Sequence, residues 1–323
     1  MEFLSSAGWI NPQIEYLLWL QNIRLQLGDV LDGFFLSLTR FGELLFPSLF
    51  MFIIYWCIDA KSGIYLFTLN SYSLILNQLF KMIACVYRPW ILSDQIHPSE
   101  LAIKRAGGYS FPSGHSTMAA SSLGGIAYLY RSKKWLCAFL ICLILVVGFS
   151  RNYLGVHTPQ DVLFGFIVGI ILIFVLNRFI NWCEEDKDRY LYVLTITNIV
   201  AVLILYFILH KSYPEDYVNG KLLVNPAGAI NTTIVYFGWI LGILNGSMLC
   251  RRFFPFDAKA GSVRNKVIRG CVGLLVAYGL MSIIQVCFFD QRQGHLLTFV
   301  STFVIGYTLT AIYPYAFSKF CKN

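Results

Sequence analysis

The chain has 323 residues, of which 57% are apolar, 16% aromatic and only 13% charged, and its mean hydropathy is +0.63. That balance excludes an ordinary soluble domain and predicts an all-α polytopic transmembrane helix bundle, built from spans of roughly 20 apolar residues each. The formal charge of +8 does not indicate a nucleic-acid partner, because the Lys and Arg residues fall in short loops between apolar runs and form no basic face.

The first stretch, Met1 to Gly8, has no basic region ahead of an apolar run, so no cleavable signal peptide is expected. Up to residue 33, Trp9, Ile14, Tyr16, Leu17, Leu18, Trp19 and Leu20 are interleaved with Glu15, Gln21, Arg24 and Asp29. This pattern suits an interfacial or re-entrant helix better than a further span. Nine apolar stretches follow, at 34–58, 64–84, 116–130, 135–149, 162–182, 190–209, 227–249, 268–289 and 296–317. The third and fourth reach bilayer thickness only if their polar ends are helical too. Tyr128, Tyr130, Trp135, Trp182 and Tyr190 sit at the margins, where amphipathic rings prefer to lie. No internal repeat is evident, and the chain divides into an N-terminal segment 1–33, a core 34–182 and four additional spans at 190–318. The nine Cys show no ligand spacing; Cys137, Cys142, Cys271 and Cys287 lie in apolar runs and read as buried small hydrophobes, with neither disulfides nor zinc implied.

Against this background three polar blocks stand out. The first is Lys81 with Arg88-Pro89, which alone reads as charged anchoring of a helix end. The second, Pro112-Ser113-Gly114-His115, is a compact turn leading into a helix, whose unpaired N–H groups and positive dipole end suit an anion. Gly114 lets a phosphate approach the backbone, Ser113 adds a hydroxyl, and His115 can give a proton to a leaving oxygen; the plainer reading is a turn and an N-cap. In the third block, Ser150-Arg151 precede Gly155 to Asp161, where Thr158 is a candidate N-cap and Pro159 a favoured first helical residue. His157 then stands just before the helix and Asp161 in its first turn. A carboxylate there can accept from one imidazole nitrogen, fix the tautomer and leave the other nitrogen free to attack; alternatively Asp161 only caps the helix.

Lys81, six residues, Arg88-Pro89; Pro-Ser-Gly-His; and Ser150-Arg151, five residues, His157, three residues, Asp161: in this order the chain resembles the type 2 phosphatidic acid phosphatase family over about 34–182. The resemblance implies a membrane-embedded phosphatase with a phosphohistidine intermediate. His157 would be the nucleophile, Asp161 its orienting partner and His115 the general acid, while Lys81, Arg88, Ser113, Gly114, Ser150 and Arg151 would hold the phosphate oxygens. Charge in phosphoryl transfer spreads over three equatorial oxygens, which three cations and a helix end can stabilise. No Asp/Glu cluster able to hold Mg²⁺ lies beside the blocks, Asp94 and Glu100 reading as solvated loop positions, so turnover without metal or cofactor is expected.

Two features depart from the common six-span form of the family: two spans, not three, precede Lys81, and four follow the last block. This nine-span layout is similar to that of glucose-6-phosphatase, whose substrate is soluble. The loop 90–110, with Ala106-Gly107-Gly108-Tyr109-Ser110-Phe111, resembles bacterial lipid phosphatases and favours a lipid phosphate or diphosphate, with membrane lipids as the surroundings. A soluble ester and phosphotransfer to another acceptor stay open. Lys61, Arg131, Lys133, Lys134, Lys187, Arg189 and the cations at 251–269 occupy one set of loops, the cytoplasmic set. All three blocks are thus expected on the extracytoplasmic side of a bacterial plasma membrane, Ser99 outside and Ser132 inside. A transporter or a phosphate-binding membrane protein is the alternative class, but ionisable residues along a path are scarce: Asn198, Asn231 and Asn245 read as interhelical partners, and Glu43 as a pocket-wall residue or a paired or snorkelling one.

Overall fold

The computed structural model describes residues 7–104, 106–218, 220–288 and 294–320. Fourteen α-helices and a single short hairpin make up the regular structure of these residues: α1 (Ala7–Leu27), α2 (Asp29–Leu38), α3 (Leu45–Ile53), α4 (Ala60–Ala84), α5 (Pro89–Leu92), α6 (Glu100–Ile103), α7 (Gly114–Leu129), α8 (Lys134–Tyr153), α9 (Pro159–Glu185), α10 (Arg189–His210), α11 (Pro226–Phe253), α12 (Val263–Phe288), α13 (His295–Tyr307) and α14 (Tyr313–Phe320). The hairpin pairs β1 (Tyr217–Val218) with β2 (Lys221–Leu222) in antiparallel register, Tyr217 opposite Leu222. The all-α expectation holds apart from this ladder.

Each of the nine apolar stretches is helical among the described residues, though fewer than nine pass as spans on length and hydropathy alone. Six helices are both long and apolar enough to cross a bilayer, or seven if the pair interrupted at residues 43–44 is one span. The stretch 34–58 is broken: α2 runs into a 3-10 turn, Thr39–Gly42, and Glu43 is extended before the helix resumes and closes in a π turn, Ile54–Ile58. α4 is long enough at 25 residues but carries buried Thr68, Asn70, Ser71, Ser73, Asn77 and Gln78. α7 has only 16 residues, with Ser116, Thr117, Ser121 and Ser122 buried. Both helices bury polar side chains inside the protein, where hydrogen bonds replace lipid contact, so neither has to be apolar.

The chain forms two compact units, one of 1–43, 76–171 and 211–229, the other of 44–75, 172–210 and 230–323. In the first, α7 and α8 make an antiparallel helical hairpin around Ala119, Leu123, Ala127, Leu140 and Val147. α9 lies close on α7: a Cβ on Gly165 would fall 2.9 Å from Ser113 O, and one on Gly169 2.7 Å from Ala120 Cβ. A second cluster, Ala102, Ala106, Tyr153, Leu154 and Val156 with Leu31, Phe35 and Trp90, fixes the loops above the hairpin. α1 packs on α2 and α8. It docks through polar contacts on the loop 95–97: Gln21 donates to Gln95 O (3.0 Å) and accepts from His97 N (2.6 Å), while Arg24 donates to His97 O and pairs with Asp32 at 3.5 Å. Residues 1–6, on which the signal-peptide expectation largely rests, lie outside the described residues.

The second unit is held by small residues and aromatic rings. Gly238, Gly242 and Gly246 recur every four positions on α11, each so close to backbone or Thr side chains of 299–310 that a Cβ would collide. Phe52, Trp56, Phe67 and Trp239 pack together, and Trp56 Nε1 donates to Leu309 O at 3.1 Å. Asn198 and Asn245 exchange two hydrogen bonds of 3.0 Å, the interhelical role expected of them. Ile196, Leu203 and Tyr206 of α10 face outward as a lipid-contacting helix requires. Seven described cysteines are free, but Cys142 and Cys271 are exposed, not buried as expected: both project from the outer face of a span, where an apolar solvent makes burial unnecessary. The side chain of Cys287 lies outside the described residues.

Candidate active site

All residues of the three blocks belong to the first unit, and the chain brings them to one end of α4, α7, α8 and α9. Local sequence sets the third block. Thr158 caps α9: its hydroxyl accepts from Asp161 N (3.3 Å) while Asp161 Oδ2 accepts from Thr158 N (2.9 Å), a reciprocal capping box with Pro159 at the first helical position. The cap and the orienting role are therefore the same carboxylate. Asp161 Oδ2 also faces His157 Nδ1 at 3.3 Å and accepts from Ser110 Oγ at 2.6 Å, with all three side chains buried.

The other nitrogen of His157, Nε2, lies 2.8 Å from Arg88 Nη1. A guanidinium can only donate, so Nε2 must present its lone pair and the ring proton must sit on Nδ1, toward Asp161. Burial first, then the cations Arg88, Arg151 and Lys81, hold the His157 imidazole well below its ordinary pKa. The backbone is fixed as well, since His157 N donates to Arg151 O (3.3 Å) and His157 O accepts from Asn152 Nδ2 (2.9 Å).

Arg88 is anchored by carbonyls: Nε to Gly108 O (3.2 Å), Nη2 to Gly107 O (2.8 Å) and Nη1 to Val156 O (2.9 Å). Burial pushes its pKa down to about 10, against the pull of Asp161, and it stays charged at neutral pH. Arg151, at the end of α8, is 2% exposed, and its Nε has no hydrogen-bond partner among the described residues. A buried donor of this kind is what an anion would satisfy. Lys81, in the last turn of α4, lies within electrostatic reach of Arg88, Asp161 and Arg151.

Ser113 caps α7, with its Oγ accepting from Ser116 N (3.4 Å) and Ser116 Oγ (2.9 Å), which leaves its own proton to donate. Gly114 opens the helix; a Cβ there would meet only Asn77 Oδ1, at 3.5 Å. Asn77 holds the turn by donating to Pro112 O (3.4 Å) and Thr117 Oγ1 (3.1 Å). The Ser150 hydroxyl is turned back on its own helix, donating to Val147 O at 2.6 Å, so it offers a phosphate only lone pairs in this arrangement. His115, second in α7, points Nε2 at Glu43 Oε1, 3.9 Å away.

Ser110, Asn77, Asn152 and the carbonyls of 107–108 are site residues that sequence reasoning missed. Only Ser110 carried a hint, standing two residues ahead of Pro112. Asp94 and Glu100 are exposed as expected, whereas Ser99 is buried and so is a poor reporter of solvent access. Among the described residues no three His, Cys, Asp or Glu side chains converge as a metal site would require.

Residues 62–185, the stretch holding every block, match the PAP2 superfamily. The chain belongs to that superfamily. Residues 234–322 match the PAP2 superfamily phosphatase transmembrane extension, which accounts for spans beyond the catalytic core. Relatives include the undecaprenyl-diphosphatase of Sulfolobus acidocaldarius, 29% identical over 43% of this chain and 66% of that one. Phosphatidylglycerophosphatase B of Bacillus subtilis is 33% identical over 32% of this chain and 54% of its own length. Undecaprenyl-diphosphatase BcrC of the same organism is 30% identical over 50% and 80%. The chain thus spans between about half and four fifths of these curated relatives. No solved structure matches it.

Proposed function

We propose that this PAP2 protein is an integral membrane phosphatase that hydrolyses a lipid phosphate or diphosphate through a phosphohistidine. The carrying observation is the His157 ring, held between Asp161 on Nδ1 and a guanidinium on Nε2. The lone pair of Nε2 attacks phosphorus as the bond to the leaving oxygen breaks, and His115 supplies the proton that oxygen needs. Water then attacks the phosphohistidine, His115 takes the proton back, and phosphate leaves. Lys81, Arg88, Arg151 and the N–H groups of Gly114 and His115 carry the equatorial charge, with the Ser113 hydroxyl beside them, while Ser113 N is spent on Asp161 O and Ser150 joins only by turning its hydroxyl from Val147 O. Cations doing this work make a metal unnecessary, so activity should persist in excess chelator; loss with EDTA and recovery with Mg²⁺ would break the scheme.

The lipid assignment draws on the relatives named above and on the apolar faces of the spans. A substrate whose chains stay in the bilayer avoids an extraction cost of roughly 0.8 kcal/mol per CH₂. Phosphate release by the purified protein from phosphatidic acid, phosphatidylglycerophosphate, polyprenyl diphosphate and glucose 6-phosphate tests it, and a preference for the sugar phosphate would overturn it. The sparse cations on the site's side support a site outside the cytoplasm of a bacterial plasma membrane. In a cysteine-free background, Asp94→Cys should react with an impermeant thiol reagent in intact cells and Ser132→Cys should not; both positions are exposed. The reverse pattern would put the substrate on the cytoplasmic side.

A further inference from the structure

We propose that Glu43 is a positioning residue for His115: its carboxylate holds the imidazole as the protonated donor that the leaving oxygen requires. This rests on the phosphohistidine reading above. Glu43 lies outside the residues that match the PAP2 superfamily, 62–185, and reaches the site from the 3-10 turn that interrupts the first apolar stretch.

Two independent features put it there. The carboxylate stands at ion-pair distance from the ring, Oε1 to Nε2 3.9 Å, with both side chains only partly exposed. The backbone is clamped as well: a Cβ on Gly42 would fall 2.6 Å from His115 O and 3.0 Å from His115 Cα, so the turn can press on the start of α7 only because residue 42 is glycine. The turn is tied down at its start by buried Thr39, whose hydroxyl donates to Leu36 O at 2.8 Å. At its end Glu43 N donates to Arg40 O at 3.1 Å, and Glu43 leaves in extended conformation. The break in the helix therefore delivers one carboxylate to one imidazole.

The charged and titratable groups around His115 explain why that is needed. Arg151 from α8 and Arg88 from the loop before α5 act on it, and His157 is a further neighbour across the site. Two fixed cations oppose an imidazolium, and the Asp161 carboxylate is engaged with His157, Ser110 and Thr158 N. Burial, then Arg151 and Arg88, push the His115 pKa down to about 4, and Glu43 is the carboxylate that opposes them in part, so the ring takes its proton with the added negative charge of a bound phosphate beside it. With Nε2–H directed at Glu43, the opposite nitrogen Nδ1 gives its proton to the departing oxygen, which keeps the electron pair of the broken P–O bond. The neutral ring retains its Nε2 proton, and the water that cleaves the phosphohistidine returns a proton to Nδ1, so no co-reactant is consumed.

The test compares wild type, Glu43→Gln and His115→Ala on phosphatidic acid, whose alkoxide must be protonated to leave, and on p-nitrophenyl phosphate, whose phenolate leaves without help. Glu43→Gln should lower kcat on phosphatidic acid by about 10–100-fold, shift the alkaline limb of its pH profile to lower pH, and leave the rate of the p-nitrophenolate burst, which reads the phosphorylation step alone, within about twofold. That last activity also shows that the variant is folded. Equal losses on both substrates, or an unmoved alkaline limb, would overturn the role of Glu43. If His115→Ala also fails to distinguish the substrates, the acid assignment beneath the proposal falls; if His115→Ala distinguishes them and Glu43→Gln behaves as wild type, only this proposal falls.

Discussion

The molecule carries two histidine–carboxylate pairs, and they are built in different ways. His157 and Asp161 are four residues apart, almost wholly buried, and locked by the cap of α9 together with Ser110. His115 and Glu43 are 72 positions apart in sequence, partly exposed, and brought together by a close backbone approach at Gly42. The first pair suits a nucleophile, which has to hold one tautomer in one orientation. The second suits an acid that exchanges protons with a substrate and with water, and so must stay accessible. Rigidity and exposure are thus divided between two sites of similar composition by the elements that carry them.

The largest expected effect is on the rigid pair. His157→Ala should remove turnover by roughly 10⁴-fold or more, with no phosphoenzyme trapped on acid quench, because the bond-forming atom is gone. Near-normal turnover would dissolve the distinction between the pairs. His115→Ala should cost about 10²–10⁴-fold on lipid substrate and still show labelled phosphoenzyme, a result that separates bond formation from departure. A variant with no phosphoenzyme would make the two histidines equivalent.

Ser110→Ala removes one donor to Asp161 and should lower kcat by about tenfold, with a stability loss of about 1–3 kcal/mol from the carboxylate left short of a partner. If kcat is unchanged, the cap of α9 alone orients Asp161. The buried pair also makes a pH prediction. His157 is held below its ordinary 6.5, so it stays unprotonated as pH falls through that value and its acid limb in kcat/KM should lie lower. The unfolded chain binds a proton near 6.5 that the folded chain refuses, so this residue's contribution to stability is present above that pH and declines beneath it. An acid limb at 6.5 or higher that vanishes in no other variant would contradict the buried environment.

The smallest effect is expected far from either pair. Asn245→Ala deletes the exchange with Asn198 in the second unit and should cost about 0.6 kcal/mol in detergent unfolding without changing kcat. A marked change in kcat would show that the transmembrane extension participates in the chemistry.

Much of the site was legible in the chain because its parts are local. The spacing of His157, Thr158, Pro159 and Asp161 dictates a helix entry that points a carboxylate at an imidazole, and Ser113 before Gly114 dictates another. Apolar runs likewise announced α8 to α13, whose outer faces meet lipid and so must be hydrophobic. The same rule says less where a helix is enclosed: α4 and α7 bury polar side chains within the protein, so hydropathy counts them as spans less surely than their helicity would suggest. The glycine spacing of 238, 242 and 246 was present in the sequence, but its partner surface at 299–310 was not.

What the sequence by itself determined is the membrane class and the helical architecture, which follow from composition, and the capped helix entries at Ser113 and Thr158, which follow from contacts a few residues long; the phosphate-handling roles were what a family resemblance implied. The tertiary structure alone decided that Ser110 completes the Asp161 site, that Arg88 faces the His157 lone pair, and that Glu43 meets His115. Those contacts join residues 51, 69 and 72 positions apart. Over such distances no local periodicity or capping rule constrains which side chains meet, and only the packing of helices on one another brings them within bonding distance.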